Sequence, residues 1–283
     1  YFAAAKQGRL RLSMVKRTTT GIFITVGVYV VLWYSHIPAV LTAAVSVLSI
    51  IAAFELFRSA NIEHNTTMLC ITVITAVSLA ILPIPNYNNI LPYIFTAALL
   101  LFFLIMRNIG RCQIDSPIWM MGISILIVFL FRSITELRNI EHGFYYLLFS
   151  VTLCFATDVM AYLTGKLLGK RKLCPQVSPN KTVAGSIGGI VGAVLTMLVL
   201  TELAQMVSSV TVNRAMLIIY AILGSAVAQY GDLAMSAVKR CLGVKDFGYL
   251  FPGHGGILDR FDSHLFCVAY TLLYCSLTGG FIR

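Results

Sequence analysis

The chain has 283 residues, of which 58% are hydrophobic and 11% charged, with a formal net charge of +10 at neutral pH and a mean hydropathy of +0.86. So little polar surface cannot clothe a water-soluble body, and the composition places the chain in a lipid bilayer. Nucleic acid is not the partner implied by the positive charge, because the basic residues follow the alternation of apolar spans described below.

In chain order, residues 1–17 form a basic cytoplasmic extension. Met14-Val-Lys-Arg ahead of the first apolar run reads as a natural start, with residues 1–13 an upstream extension. The first run lacks a small-residue cleavage site and is followed by further spans, so a cleavable signal is not expected. Runs long enough to cross a hydrocarbon layer of ~30 Å as helices fall at 18–34, 38–57, 66–82, 90–106, 117–131, 143–163, 183–200, 215–230 and 264–282. The expected architecture is all-α and polytopic, with about nine transmembrane helices. The fifth and eighth spans are short, so their ends are free to slide. With the N-terminus inside, every Lys and Arg except Arg132, Arg138, Arg214 and Arg283 falls on the inner side, the asymmetry by which basic residues set orientation. The organisation expected is a scaffold over 18–142 and a catalytic membrane region over 143–283.

The loops of the first half carry little chemistry: "PIPNYNN" reads as a turn and "RSITELRNIEHG" as a charged outer connection. The inner loops of the second half, 164–182 and 239–263, are basic and rich in Gly and Pro, which is where function concentrates. The seven cysteines show no paired spacing and read as reduced apolar residues. In the seventh span Gly185 and Gly189, then Gly188 and Gly192, stand four apart, a spacing that lets helices approach closely. His36, His64, His142 and His264 show no ligand spacing.

Charge gathers in "KDFGYLFPGHGGILDRFDS", residues 245–263. Ahead of it, Asp232 ends the eighth span, and on a continuing helix it shares a face with Ser236 and with Lys239 or Arg240. A helix end with snorkelling basic residues is one reading. An acid beside hydrocarbon, however, usually faces a cavity, a cation or a partner. Asp259 and Asp262, three apart before the ninth span, suit either a helix N-terminus or, with the loop folded back, a cation shared between Asp232 and Asp259. Mg²⁺ suits such oxygen donors, since it takes one or two carboxylates plus phosphate oxygens. Gly253, Gly255 and Gly256 around His254 serve a tight turn or a close approach to phosphate. Asp158, inside the sixth span, is either a buried hydrogen-bonded residue or part of the same site. Carboxylates, cations and Gly-rich turns together describe metal-assisted phosphate chemistry better than a transport pore. A transporter would also call for inverted repeats, and none is seen.

With these residues in hand, "SAVKRCLGVKDFGYLFPGHGGILDRFD" over 236–262 resembles the signature of the phosphatidate cytidylyltransferase (CDP-diacylglycerol synthase) family. A second block matches through Asp158, Ala161, Tyr162, Gly165, Gly169, Pro175, Ser178, Pro179, Lys181 and Thr182. Before residue 158 the likeness is loose, mainly hydropathy and "FELFR". The resemblance implies a dimeric enzyme of the bacterial inner membrane, its N-terminus and active site cytoplasmic. It would join CTP and phosphatidic acid to give CDP-diacylglycerol and pyrophosphate. It implies Mg²⁺ on Asp232 and Asp259, with a second cation allowed, and catalytic roles for Asp232, Asp259, Lys239, Arg240 and His254. Ser178, Lys181, Thr182, Asp158, Tyr162, Ser236, Lys245, Asp246, Gly255, Gly256, Arg260 and Asp262 are implied as substrate-facing. Met235 and Ala184 depart from the family pattern, which often carries Glu at both, and this weighs against a two-metal site.

Overall fold

The computed structural model describes residues 21, 26–62, 66–81, 86–109, 116–208, 210–250 and 255–282. Helix α1 covers residues 26–33 and runs into a 3-10 turn at Tyr34–His36. There follow α2 (Pro38–Ser59), α3 (Thr66–Ile81), α4 (Tyr87–Arg107), α5 (Pro117–Asn139) and α6 (Gly143–Leu168). A two-stranded hairpin, β1 (Lys172–Cys174) and β2 (Ser178–Thr182), leads to α7 (Val183–Val207), α8 (Arg214–Cys241) and α9 (Leu258–Thr278). The protein is an all-α polytopic membrane protein. Among the described residues six helices, α2 and α4 to α8, are long and apolar enough to cross a membrane. Outside that group stand α3, with 16 residues, and α9, which opens on Asp259, Arg260 and Asp262.

Local chemistry fixes the ends. Pro38 and Pro117 sit in the first turns of α2 and α5, where a missing N–H costs nothing and φ is already helical. The side chains of Thr182 and Asn213 accept from Gly185 N and Met216 N at 3.1 and 3.2 Å, capping α7 and α8. Gly279, at φ +74, closes α9 in the left-handed region.

Several boundaries differ from the sequence expectation, α7 among them, which runs seven residues past 200 to Val207. Helix α5 continues to Asn139, so the "outer connection" starting at Arg132 is helical. Arg132 pairs with Glu136 one turn on, which lets charged residues stay in a buried helix. Helix α8 continues to Cys241, carrying Asp232 within it rather than at its end. Helix α9 begins six residues earlier than expected, at Leu258. The inner loop 164–182 is partly helix and partly the hairpin, whose strands pair Lys172 with Thr182 and Cys174 with Ser178.

Helix α9 lies at the centre, packed against α2, α4, α5, α6 and α8, and almost all of Leu258 to Leu272 is buried. Among the described residues, α6 and α7 share the most extensive helix–helix contact. A Cβ at Gly188 would strike Thr164 and one at Gly192 would strike Met160, so the four-residue glycine spacing serves packing. At the far end, Asn213 N donates to Phe281 O at 2.8 Å, and the Phe281 ring meets those of Tyr146, Phe149, Tyr220 and Tyr274.

Candidate active site

A cavity of about 350 Å³ opens beside the first turns of α9. Its wall includes Asp158 from α6, Asp232 and Lys239 from α8, and Asp259, Arg260 and Asp262 from α9. Helical spacing explains the grouping. Asp259 and Asp262 are three apart and Asp232 and Lys239 seven apart, so each pair shares a face, and α8 and α9 are in direct contact.

Asp232 is partly open. Its Oδ2 lies 2.5 Å from Lys181 Nζ on β2, while Oδ1 has a long 3.4 Å contact from the Ser236 hydroxyl. Its charge bears on both Asp158 and Asp262, so three carboxylates from three helices repel one another around one space. Lys181 and Arg260 offset that repulsion at Asp158, and Lys239 does so at Asp262.

Asp259 holds a different position. Its side chain is 1% exposed, and Oδ1 takes Lys239 Nζ at 3.0 Å. Oδ2 accepts the backbone N–H groups of Phe247 at 2.9 Å, Gly248 at 3.4 Å and Gly256 at 2.9 Å. Both oxygens are therefore committed, and the carboxylate works as the organiser of the loop between α8 and α9. Lys239 is buried by the same cluster, 3.9 Å from Asp262 and 5.3 Å from the centre of the Phe247 ring. Gly255, at φ +82, passes so close that a Cβ would lie 2.8 Å from Asp259 Oδ2, a conformation and clearance that only glycine meets cheaply.

The loop has a second acidic anchor. Glu55 of α2, 5% exposed, accepts Ile257 N at 3.0 Å and Leu258 N at 2.9 Å. It takes two of the orphan donors at the start of α9, where negative charge also suits the helix dipole. A Cβ at Gly248 or Gly256 would collide with it. In the sequence, "FELFR" carries only a loose likeness to the family. The signal available was an acid inside an apolar span, which demands a partner.

Arg260 adds an unspent donor. Its Nε is buried and has no hydrogen-bond partner among the described residues, a costly state for a charged group unless something enters to receive it.

The remaining candidates divide. Arg240 is exposed and turns from the cavity to Val177 O, at 3.2 Å, tying α8 to the hairpin tip. Thr182 caps α7 and packs beneath Gly165 and Gly169. Tyr162 is 66% exposed on α6, and Lys245, Asp246 and Ser178 are absent from the cavity wall. His254 lies outside the described residues. His264, assigned nothing from sequence, is buried on that wall with its ring against Phe155. Met235 is in the apolar core, 1% exposed, where a lone carboxylate would be unpaired.

Among the described residues no three His, Cys, Asp or Glu side chains are gathered closely enough to chelate a metal unaided. The donor chemistry does fit a cation that brings its own oxygens, since Mg²⁺ takes one or two protein carboxylates and fills its shell with phosphate and water. Asp232 has the freer oxygen, with Asp158 and Asp262 facing the same space.

The fold and site define a polytopic membrane protein with a charged cavity between α6, α8 and α9. The description "Cytidylyltransferase family" matches residues 15–278, and the chain belongs to that family. It is 44% identical over 148 residues to the phosphatidate cytidylyltransferase of Bacillus subtilis strain 168, covering 52% of this chain and 54% of that protein. It is 46% identical over 126 residues to the phosphatidate cytidylyltransferase of Staphylococcus epidermidis RP62A, covering 44% and 47%. The protein of that name from Staphylococcus saprophyticus is 45% identical over 138 residues, covering 48% and 50%. The matched region spans about half the length of these relatives.

Proposed function

We propose that the chain is a phosphatidate cytidylyltransferase, joining CTP and phosphatidic acid to give CDP-diacylglycerol and pyrophosphate. The observation that carries this reading is the buried, unpartnered Arg260 Nε on the wall of a polar cavity between membrane helices. A guanidinium in that state fits a phosphate, and a site at the edge of hydrocarbon fits a lipid phosphate. The names of the relatives and the family membership support the same substrates.

In the proposed reaction an oxygen of the lipid phosphate attacks the α-phosphorus of CTP. The new P–O bond forms as the bond to the α–β bridging oxygen breaks, and pyrophosphate leaves with that electron pair. Little covalent work falls to the protein, so positioning and charge do most of it. Arg260 and Lys181 hold phosphate oxygens, and Lys239, fixed by Asp259, keeps positive charge at the cavity wall. The Glu55 and Asp259 carboxylates fix the start of α9, the helix that carries Arg260. Asp232, together with Asp158 or Asp262, would hold Mg²⁺, which when bound spreads the charge of the triphosphate and of the departing pyrophosphate. The proposal extends to a plasma-membrane location with the site cytoplasmic, on the strength of the basic inner loops, and to a homodimer, on the family resemblance.

Label partition tests the chemistry. CTP carrying ³²P at the α position is expected to deliver its label to the lipid extract, while γ-labelled CTP delivers it to aqueous pyrophosphate. Label from the γ position in the lipid would make the protein a kinase. Both labels released from CTP yet remaining in water would make it a hydrolase, and both remaining in intact CTP would overturn the reading.

A further inference from the structure

Beside the charged cavity runs a second space of about 290 Å³, walled by α1, α2, α5, α6 and α9. Its lining, including Val31, Val45, Leu147, Val151 and Val268, holds no charged side chain. The two spaces adjoin, since Val28, Phe261 and His264 line both. Helix α9 produces the boundary. Phe261, His264 and Val268 fall at i, i+3 and i+7 on its apolar face, while Asp259 and Asp262 fall on the face toward the charged cavity.

We propose that this groove seats one acyl chain of the lipid substrate while its phosphate occupies the charged cavity. The inference rests on the lipid-phosphate reading of that cavity and assigns the hydrocarbon part of the same ligand. A ligand filling both spaces must be anionic at one end and aliphatic at the other, which a nucleotide alone is not. The volume lies at the lower end for a small-molecule pocket, suited to one chain and not to two. The groove contributes little affinity, since a tail leaving the bilayer exchanges one hydrocarbon surrounding for another. It contributes orientation, by fixing the chain and so limiting where the phosphate can stand.

The test uses phosphatidate bearing a diazirine near the end of one acyl chain, irradiated with the purified full chain and mapped by mass spectrometry. Label is expected on groove residues such as Val45, Val151 and Val268, and it should fall at least tenfold with excess unlabelled phosphatidate but not with excess phosphatidylcholine. Gly27 lines the groove, and a Cβ there meets nothing within 4 Å, so Gly27→Phe adds its Cβ without a clash and is designed to crowd the space. That variant should lose groove labelling while unfolding at the wild-type temperature. Label confined to outward-facing positions such as Leu100 and Phe103, or groove label displaced equally by phosphatidylcholine, would overturn the proposal. Turnover of CTP measured in parallel separates the two readings: absent turnover with a labelled groove sinks the reaction alone, and turnover with an unlabelled groove sinks the groove alone.

Discussion

Glu55 and Leu258, 203 positions apart in the chain, are joined by a 2.9 Å hydrogen bond from the Leu258 backbone N–H to Glu55 Oε2. The other oxygen takes Ile257 N, so a carboxylate from α2 fastens the start of α9. Glu55→Ala removes both acceptors and leaves two buried N–H groups unpaired, at about 1–3 kcal/mol each. A thermal-shift measurement should show a lower unfolding temperature, and turnover should fall with it. Glu55→Gln keeps one acceptor oxygen and should lie between wild type and Glu55→Ala in both readouts.

Asp259 and Asp232 line one cavity yet should fail differently. Asp259→Asn breaks a buried pair with Lys239 and weakens a three-donor backbone anchor. It should lose about 3–5 kcal/mol of stability and nearly all activity. Asp232→Asn loses only a partly exposed pair with Lys181, worth about 0–1 kcal/mol. Its unfolding temperature should barely move, while turnover drops about a thousandfold. Equal thermal losses in the two variants would erase the distinction between loop organiser and cavity acid.

Lys181→Ala tests whether the β2 lysine meets phosphate. Since its pair with Asp232 is partly exposed, stability should hold. The apparent KM for CTP should rise tenfold or more. Unchanged kinetics would leave Lys181 only a topological role.

Thr182→Val separates capping from substrate contact. The valine keeps the shape that packs under Gly165 and Gly169 but cannot accept from Gly185 N. A loss of about 1 kcal/mol in stability is expected, with KM for both substrates unchanged in the folded fraction.

The membrane class and the approximate places of the helices were legible because long apolar runs admit few alternatives in lipid. The ends were less legible. Arg132 read as the start of a loop until its pairing with Glu136 inside α5 was visible, and Asp259 read as preceding α9 although it sits in the first turn. The hairpin carried no alternating pattern, and its strands of three and five residues are fixed by α7 and by Arg240 at Val177. Asp232, Lys239, Arg260 and Asp262 stand out in the sequence by their density of charge near hydrocarbon, and they line one cavity. What sequence could not supply was partnership: that Asp259 is saturated, that Arg240 points to the hairpin, and that Glu55 reaches the loop from the other half of the chain.

The most direct measurement is production of CDP-diacylglycerol from CTP and phosphatidate by the detergent-purified chain, wild type beside Asp232→Asn, each with Mg²⁺ and with chelator. Wild type should turn over only with Mg²⁺, and the folded variant should be nearly inactive in both conditions. No turnover by wild type with Mg²⁺, or full turnover by Asp232→Asn, would contradict the assignment.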